Sequence, residues 1–259
     1  MPTPPSALPG ARWSLANGRH QQPHDLLGQH LESEGLRIRA MRPLAQRVRV
    51  RFENGEFLEL EHESDGIWSG VRTDASSTLD YRIRTTWADG IEHEHDDPYR
   101  FAPTVGEVDR FLINEGRHER LWEILGAHIH TYDGPLGRVS GTSFAVWAPR
   151  AKAISVVGDF NGWDDSSHPM RLLGNSGIWE LFVPGVGAGT TYKYRIRGAD
   201  DVERDKADPM AQRTEVPPRS GSVVHHSHYQ WDDGEWEQAK RERNPHTGPL
   251  SIYEVHLGS

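Results

Sequence analysis

The chain has 259 residues, no cysteine and a net charge of -9, which leaves room for two average domains but not for a large multidomain enzyme. The lack of cysteine excludes disulfides, thiolate nucleophiles and the usual zinc clusters, and fits a reducing compartment. The negative balance argues against a nucleic-acid partner, because a phosphate backbone is held by clustered cations, and no apolar run is long enough to span a membrane.

Residues 1–22 have no apolar segment of the kind a secretory signal needs. Their Pro, Gly and polar content reads as a disordered leader on a cytoplasmic protein. Residues 23–105 read as a first module of strands. Leu36 and Ile38 alternate with Arg37 and Arg39, and Val48, Val50 and Phe52 alternate with Arg47, Arg49 and Arg51, so the arginines mark the solvated face of half-buried strands. Asn54-Gly55 sits between two alternating runs and predicts a hairpin whose two central residues have positive φ. The acidic run 92–97 reads as a solvated loop.

A connector is expected over residues 106–126. Thr104 followed by Glu107 has the form of a capping box, Val108, Phe111 and Leu112 make the apolar face of a short helix, and Gly116 interrupts it. A second strand-rich module is expected over 127–229, with alternation in Phe144-Ala145-Val146-Trp147, in Ile154-Ser155-Val156-Val157 and in Tyr192-Lys193-Tyr194-Arg195-Ile196. Asp164-Asp165 reads as solvated turn, and His225, His226 and His228 read as polar surface, so no metal is predicted. Residues 230–250 form a linker with a helix over 235–243, stopped at Asn244-Pro245 and carrying Trp236, with Trp231 just before it. Residues 251–259 are β-branched and aromatic and predict a strand, yet no further strand follows for it to pair with, so the sequence reads as cut there.

An internal repeat joins the two modules. Leu27-Gly28-Gln29-His30 returns as Leu125-Gly126-Ala127-His128, Gly66-Ile67-Trp68 as Gly177-Ile178-Trp179, Tyr81-Arg82-Ile83-Arg84 as Tyr194-Arg195-Ile196-Arg197, and Asp97-Pro98 as Asp208-Pro209. The markers keep their order at a spacing of roughly a hundred residues, the size of one β-sandwich. Duplication explains this most simply.

Chemistry is carried by Gly158-Asp159-Phe160-Asn161-Gly162-Trp163, at the end of an apolar strand. Asn161-Gly162 turns the chain and can present Trp163 as a flat ring. Pyranose rings have apolar C–H faces that stack on an indole while a polar neighbour bonds the hydroxyls. Lys193 is the candidate neighbour, because Tyr192, Tyr194 and Ile196 facing the core would turn it outward. Two readings of Trp163 stay open on these grounds: a sugar platform, or a cap on the sandwich core.

The hexad, the strand around Lys193 and the Ala207-Asp208-Pro209 exit resemble carbohydrate-binding modules of the family 48 type, found on α-glucan enzymes and glycogen-sensing kinase subunits. The closing Tyr253-Glu254-Val255-His256-Leu257-Gly258-Ser259 is similar to the first barrel strand of the α-amylase superfamily, in the form typical of bacterial glycogen branching enzymes. The resemblance implies an all-β fold: two tandem immunoglobulin-like β-sandwich modules, a short helical connector, and the first strand of a (β/α)8 barrel at 251–259. It implies the non-catalytic N-terminal part of a 1,4-α-glucan branching enzyme, whose parent cleaves an α-1,4 linkage and rejoins the segment to a 6-hydroxyl. A parent of that family works as a retaining enzyme, with an aspartate nucleophile and a glutamate acid and base. Those residues belong to later barrel strands, so no catalytic residue and no cofactor is assigned.

The resemblance also implies glucan contact by Trp163 and Lys193, with Asn161 in the same turn. The family's second platform tryptophan falls near Asp200-Asp201-Val202, where no aromatic stands. The first module lacks the hexad, which implies a structural role. The implied partners are α-glucan, as glycogen or maltooligosaccharides, and the protein's own catalytic barrel. Two other readings remain: a stand-alone α-glucan-binding protein, or the N-terminal part of a related hydrolase such as a maltooligosyltrehalose trehalohydrolase.

Overall fold

The computed structural model describes residues 9–164, 166–244 and 247–258. One compact unit runs to His226, and Ser227–Ser259 form a second.

The first module opens with α1 (Pro9–Ala16), followed by β1 (Gly28–Glu32), β2 (Gly35–Met41), β3 (Arg47–Phe52), β4 (Phe57–Ser64), β5 (Ile67–Arg72), β6 (Tyr81–Thr86) and β7 (Glu92–Asp96). The strands pair antiparallel in the order β1-β2-β5-β4-β3-β6-β7. β4 pairs with β3 up to Leu60 and with β5 from Glu61, and its register shifts between His62 and Ser64. Such a bulge bends the strand, and the two halves of the sheet close over Leu36, Ile38, Val48, Val50, Phe52, Tyr81 and Ile83, all buried.

The arginines alternate outward as expected, and their register explains β7. Arg49 lies opposite Arg84, and Arg51 opposite Arg82, a like-charge pairing that is unfavourable unless carboxylates stand nearby. The acidic run supplies them. Glu94 accepts two bonds from Arg51, both 2.7 Å, and one of 2.6 Å from Arg84, while Glu92 pairs with Arg49 and Arg84. Residues 92–96 are therefore an edge strand and not the expected loop, and Asp97 is buried at its end. The Asn54-Gly55 hairpin forms differently from the expectation: only Gly55 takes positive φ, at 82°, with Gly55 N–H donating to Phe52 O at 3.0 Å and Phe52 N–H to Glu56 O at 3.0 Å.

The leader also differs. Residues 1–8 lie outside the described residues, but α1 is helical and its Leu15 is completely buried. Arg12 pairs with Glu63 at 2.6 Å. Further on, Leu172 N–H donates to Gln21 O at 2.9 Å and Gln22 Nε2 to Leu172 O at 2.7 Å. One apolar ridge with two polar anchors orders a segment whose composition alone reads as floppy.

The connector contains α2 (Glu107–Asn114), capped by Gly106 without a side-chain bond. Thr104 is no capping residue: its N–H and Oγ1 both donate to Glu180 Oε1, at 3.2 and 2.9 Å. The apolar face is not the expected one either. Val108 and Phe111 are 71% and 60% exposed, and Ile113 is the residue that meets the core beneath. Gly116 does end the helix, with φ of 66°.

The second module holds β8 (Gly126–Gly134), β9 (Gly137–Trp147), β10 (Ala153–Gly158), β11 (Arg171–Leu172), β12 (Ile178–Pro184), β13 (Thr191–Arg197), β14 (Glu203–Lys206) and β15 (Ser222–Val223). One sheet runs β11-β12-β9-β8; the other runs β10-β13-β14, with β15 also on β13. They sandwich Phe144, Val156, Trp179, Leu181, Tyr192 and Tyr194. Leu15, Leu26, Leu27, Met41, Ile67 and Tyr99 of the first module belong to the same cluster, and Tyr99 Oη donates to Pro169 O at 3.3 Å. The two modules thus share one apolar core.

The repeat reappears as matched corners. Tyr81 Oη donates to Asp97 Oδ2 at 2.6 Å and Tyr192 Oη to Asp208 Oδ2 at 2.6 Å, with Tyr194 Oη at 3.3 Å on the same oxygen. Each aspartate accepts a backbone N–H with its other oxygen, from Tyr99 at 3.0 Å and from Met210 at 2.8 Å. Gly28 and Gly126 have φ of 85° and 106°, and a Cβ there would lie 2.5 Å from Tyr99 O and 3.0 Å from Met210 O. His30 and His128 bond Leu27 O and Leu125 O at 3.1 and 2.9 Å.

In the second unit α3 (Gly234–Glu242) matches the expected helix to within a residue at each end. Lys240 lies over the Trp236 ring at 4.7 Å. Pro245 and Ser259 lie outside the described residues. Among the described residues, 251–258 belong to no ladder, so no strand forms over them; β-propensity alone does not make a strand without a neighbour to share its hydrogen bonds.

Candidate functional site

β10 delivers the chain to the hexad. Gly158 is required by close approach: a Cβ on it would lie 2.4 Å from Thr191 O and 2.7 Å from the Phe160 ring. Residues Asp159–Asn161 make one 3-10 turn. Phe160 anchors it, stacked on Phe144 at 6.0 Å and edge-on to His168 at 5.3 Å. Gly162 and Trp163 then both take left-handed backbone, φ of 61° and 64°.

A bulky residue in that region costs about 1–3 kcal/mol and is found where the surroundings hold it. Here Trp163 N–H donates to Gly158 O at 3.0 Å and the indole Nε1–H to Asp159 Oδ1 at 3.2 Å. The ring is fixed at its edge and stays partly exposed. This is an arrangement that can offer a flat apolar face to a pyranose.

Asn161 is bonded within the turn. Its Oδ1 accepts Gly158 N–H at 2.9 Å, and its Nδ2, with two hydrogens to share, lies within hydrogen-bond distance of Val156 O at 3.0 Å, His168 Nδ1 at 3.0 Å and Asp164 O at 3.2 Å. These bonds brace the turn that carries Trp163. His168, which sequence reasoning missed, accepts that bond only as the neutral imidazole. Burial first, and the Arg42 charge second, bring its pKa down to about 3.

β13 presents Lys193 outward, with Tyr192 and Tyr194 buried and Ile196 against the core. Lys193 lies opposite Val157, one residue before the hexad's Gly158, so strand register brings Lys193 and the Trp163 turn to the same end of the β10–β13 pair. Its Nζ donates to Ser220 Oγ at 3.0 Å. Where a second platform ring was sought, the β13–β14 turn is charged: Asp201 pairs with Lys152 at 2.6 Å and Asp200 with Arg204 at 2.7 Å. Asp164 caps Ser166 through its N–H at 3.0 Å; Asp165 lies outside the described residues. Among the described residues no group of three or more His, Cys, Asp or Glu side chains is placed to hold a metal ion, and no helix is long and apolar enough to cross a membrane.

Residues 124–211 match the family model described as carbohydrate-binding module 48 (isoamylase N-terminal domain), and residues 11–99 match the alpha-1,4-glucan branching enzyme GlgB, N-terminal domain. The chain is 51% identical over 245 residues to the 1,4-alpha-glucan branching enzyme GlgB of Rhodococcus jostii, covering 95% of this chain and 33% of that protein. It is 51% identical over 246 residues to the protein of that name in Thermobifida fusca, with the same coverage. Among solved structures it is similar to a pullulanase from Anoxybacillus complexed with maltotetraose, at 14% identity, 88% of this chain, 28% of that chain and a TM-score of 0.33. The chain spans about a third of the length of the curated relatives it matches.

Proposed function

We propose that this chain, which joins the N-terminal domain of 1,4-α-glucan branching enzymes to a carbohydrate-binding module 48, serves as the non-catalytic N-terminal part of such an enzyme in the cytoplasm. In this reading the whole enzyme moves an α-1,4-glucan segment onto a 6-hydroxyl in glycogen. The module of residues 127–229 contacts glucan weakly through Trp163 and Lys193. The module of residues 23–105 is a support, joined through residues 106–126.

The observation that carries the reading is the left-handed Trp163, tied by its indole N–H to Asp159 and partly exposed. Backbone strain of this kind clusters at ligand sites, and a pyranose platform needs a fixed flat ring with a face left open. The second partner is a catalytic barrel. Trp122 and Trp147 are 56% and 55% exposed, and Trp147 borders an apolar cavity of about 350 Å³ lined also by Ile113, Leu121, Leu125 and Met210. An apolar surface of this kind marks a protein contact.

The test is native electrophoresis through amylopectin. The parent chain is expected to be retarded and Trp163→Ala to run as in a gel without polysaccharide. Equal retardation of both removes the assignment of Trp163. Transfer of glucan segments by the 259-residue chain alone, read by iodine staining of amylose, would refute its non-catalytic role.

A further inference from the structure

A cleft of about 450 Å³ lies between the two modules, a volume in the range of small-ligand sites. Arg42, Trp87 and His95 line it from the first module, and Phe160, Asn161 and His168 from the second. Phe160 and Asn161 belong to the hexad turn that also carries Trp163, and His168 follows it.

The cleft's polar groups are unusual for this protein, in which most arginines are paired. Arg42 Nη1 donates to Met41 O at 2.7 Å, and no carboxylate among the described residues lies within ion-pair distance of it. Asp96, also on the wall, is engaged by Arg82 at 3.2 Å and Arg100 at 2.8 Å. Burial, with the Arg42 charge behind it, lowers the pKa of His95 and takes that of His168 to about 3. Both imidazoles are therefore neutral at neutral pH. A neutral imidazole offers one donor and one acceptor, as a hydroxyl does, and a phosphate would call for the imidazolium. Trp87 is half-buried and supplies the aromatic surface that a pyranose C–H face stacks on.

We propose that this inter-module cleft is a second α-glucan site, which takes a neutral glucosyl segment against Trp87 with Arg42 and His95 bonding its hydroxyls. The proposal rests on the reading that the chain binds α-glucan at Trp163, and it gives the first module a part in binding.

The experiment follows the indole N–H resonances of the complete 259-residue chain by 15N correlation spectroscopy during titration with maltoheptaose. Trp87→Phe identifies the Trp87 signal. The expected result is that Trp87 and Trp163 both shift, that Trp87 still shifts in Trp163→Ala, and that Arg42→Gln weakens the Trp87 titration about tenfold, the loss of a charge-assisted hydrogen bond, without moving the Trp163 titration. A shift of Trp163 alone overturns the cleft and leaves the Trp163 site standing. No shift of either overturns both. A Trp87 shift with inorganic phosphate but not with maltoheptaose makes the cleft an anion site and overturns the proposal.

Discussion

Replacing Glu180 by alanine is expected to be among the most destabilising single changes outside the aromatic core. Glu180 is completely buried and Arg171 is 8% exposed. They face each other across β11 and β12, with Arg171 Nε and Nη2 donating to Glu180 Oε2 at 2.9 and 2.8 Å. The other oxygen takes the two bonds from Thr104, and Arg171 Nη1 reaches Phe101 O at 3.2 Å. The pair thus ties the inter-module segment to the second sandwich. At that separation an effective dielectric of 20 gives an attraction of about 6 kcal/mol, most of it offset by several kcal/mol of desolvation per ion. Removing the carboxylate alone leaves the guanidinium buried without a counter-charge, and the expected loss is about 3–5 kcal/mol. The double change Glu180→Leu with Arg171→Met removes both charges together and is expected to stand within about 1 kcal/mol of the parent. Urea unfolding followed by tryptophan fluorescence compares the parent, the single change and the double change. If the single change costs less than about 1 kcal/mol, or the double change is as unstable as the single, the buried pair is not what holds the segment.

Glycine substitutions are expected to rank by the space at each Cβ. Gly28→Ala meets Tyr99 O at 2.5 Å and Gly126→Ala meets Met210 O at 3.0 Å, while Gly55→Ala meets nothing within 4 Å. Losses above about 2 kcal/mol, less than that, and about 1 kcal/mol are expected in that order, and denaturation midpoints in another order would discard the argument. The arginine lattice predicts a pH dependence. Hydrogen bonds from Arg51 and then Arg84 bring the Glu94 pKa from 4.5 down to about 2. A carboxylate with a depressed folded-state pKa contributes stability above its unfolded value and loses it as pH falls. The stability gap between the parent and Glu94→Gln should therefore close between pH 4.5 and about 2, and also shrink in 1 M salt. A gap that is flat across that window contradicts the assignment.

What could be read from the sequence was whatever depends on local alternation or on a repeated marker. The valine and arginine alternation of β3 located a solvated face, and the Asp-Pro markers located two corners that match in their hydrogen bonds, although the tyrosine equivalent to Tyr81 is Tyr192, two residues before the second Tyr-Arg-Ile-Arg marker. What could not be read depends on a distant partner. Leu15 reads as part of a leader until the core it enters is assembled. Thr104 has the spacing of a cap, but a buried carboxylate 76 residues away competes for it. Residues 92–96 read as loop because acidic residues are poor strand formers; two facing rows of arginine make them the best neighbours available. At the site, the turn and the outward Lys193 were legible. The roles of Asn161 and His168 were not, since a carboxamide that meets a ligand and one that braces a turn look the same in sequence.

The corner and the binding turn have separate histories in this chain. β3 and β10 each pair with the strand that carries a corner tyrosine, and each then turns. The first copy turns through a plain hairpin at Asn54-Gly55; the second inserts the hexad. Since the same corner is built with and without it, the hexad is not an ingredient of the sandwich but an elaboration at a loop position, where variation is tolerated. Trp163 can therefore be exchanged or redesigned as a specificity element while the scaffold beneath is left untouched.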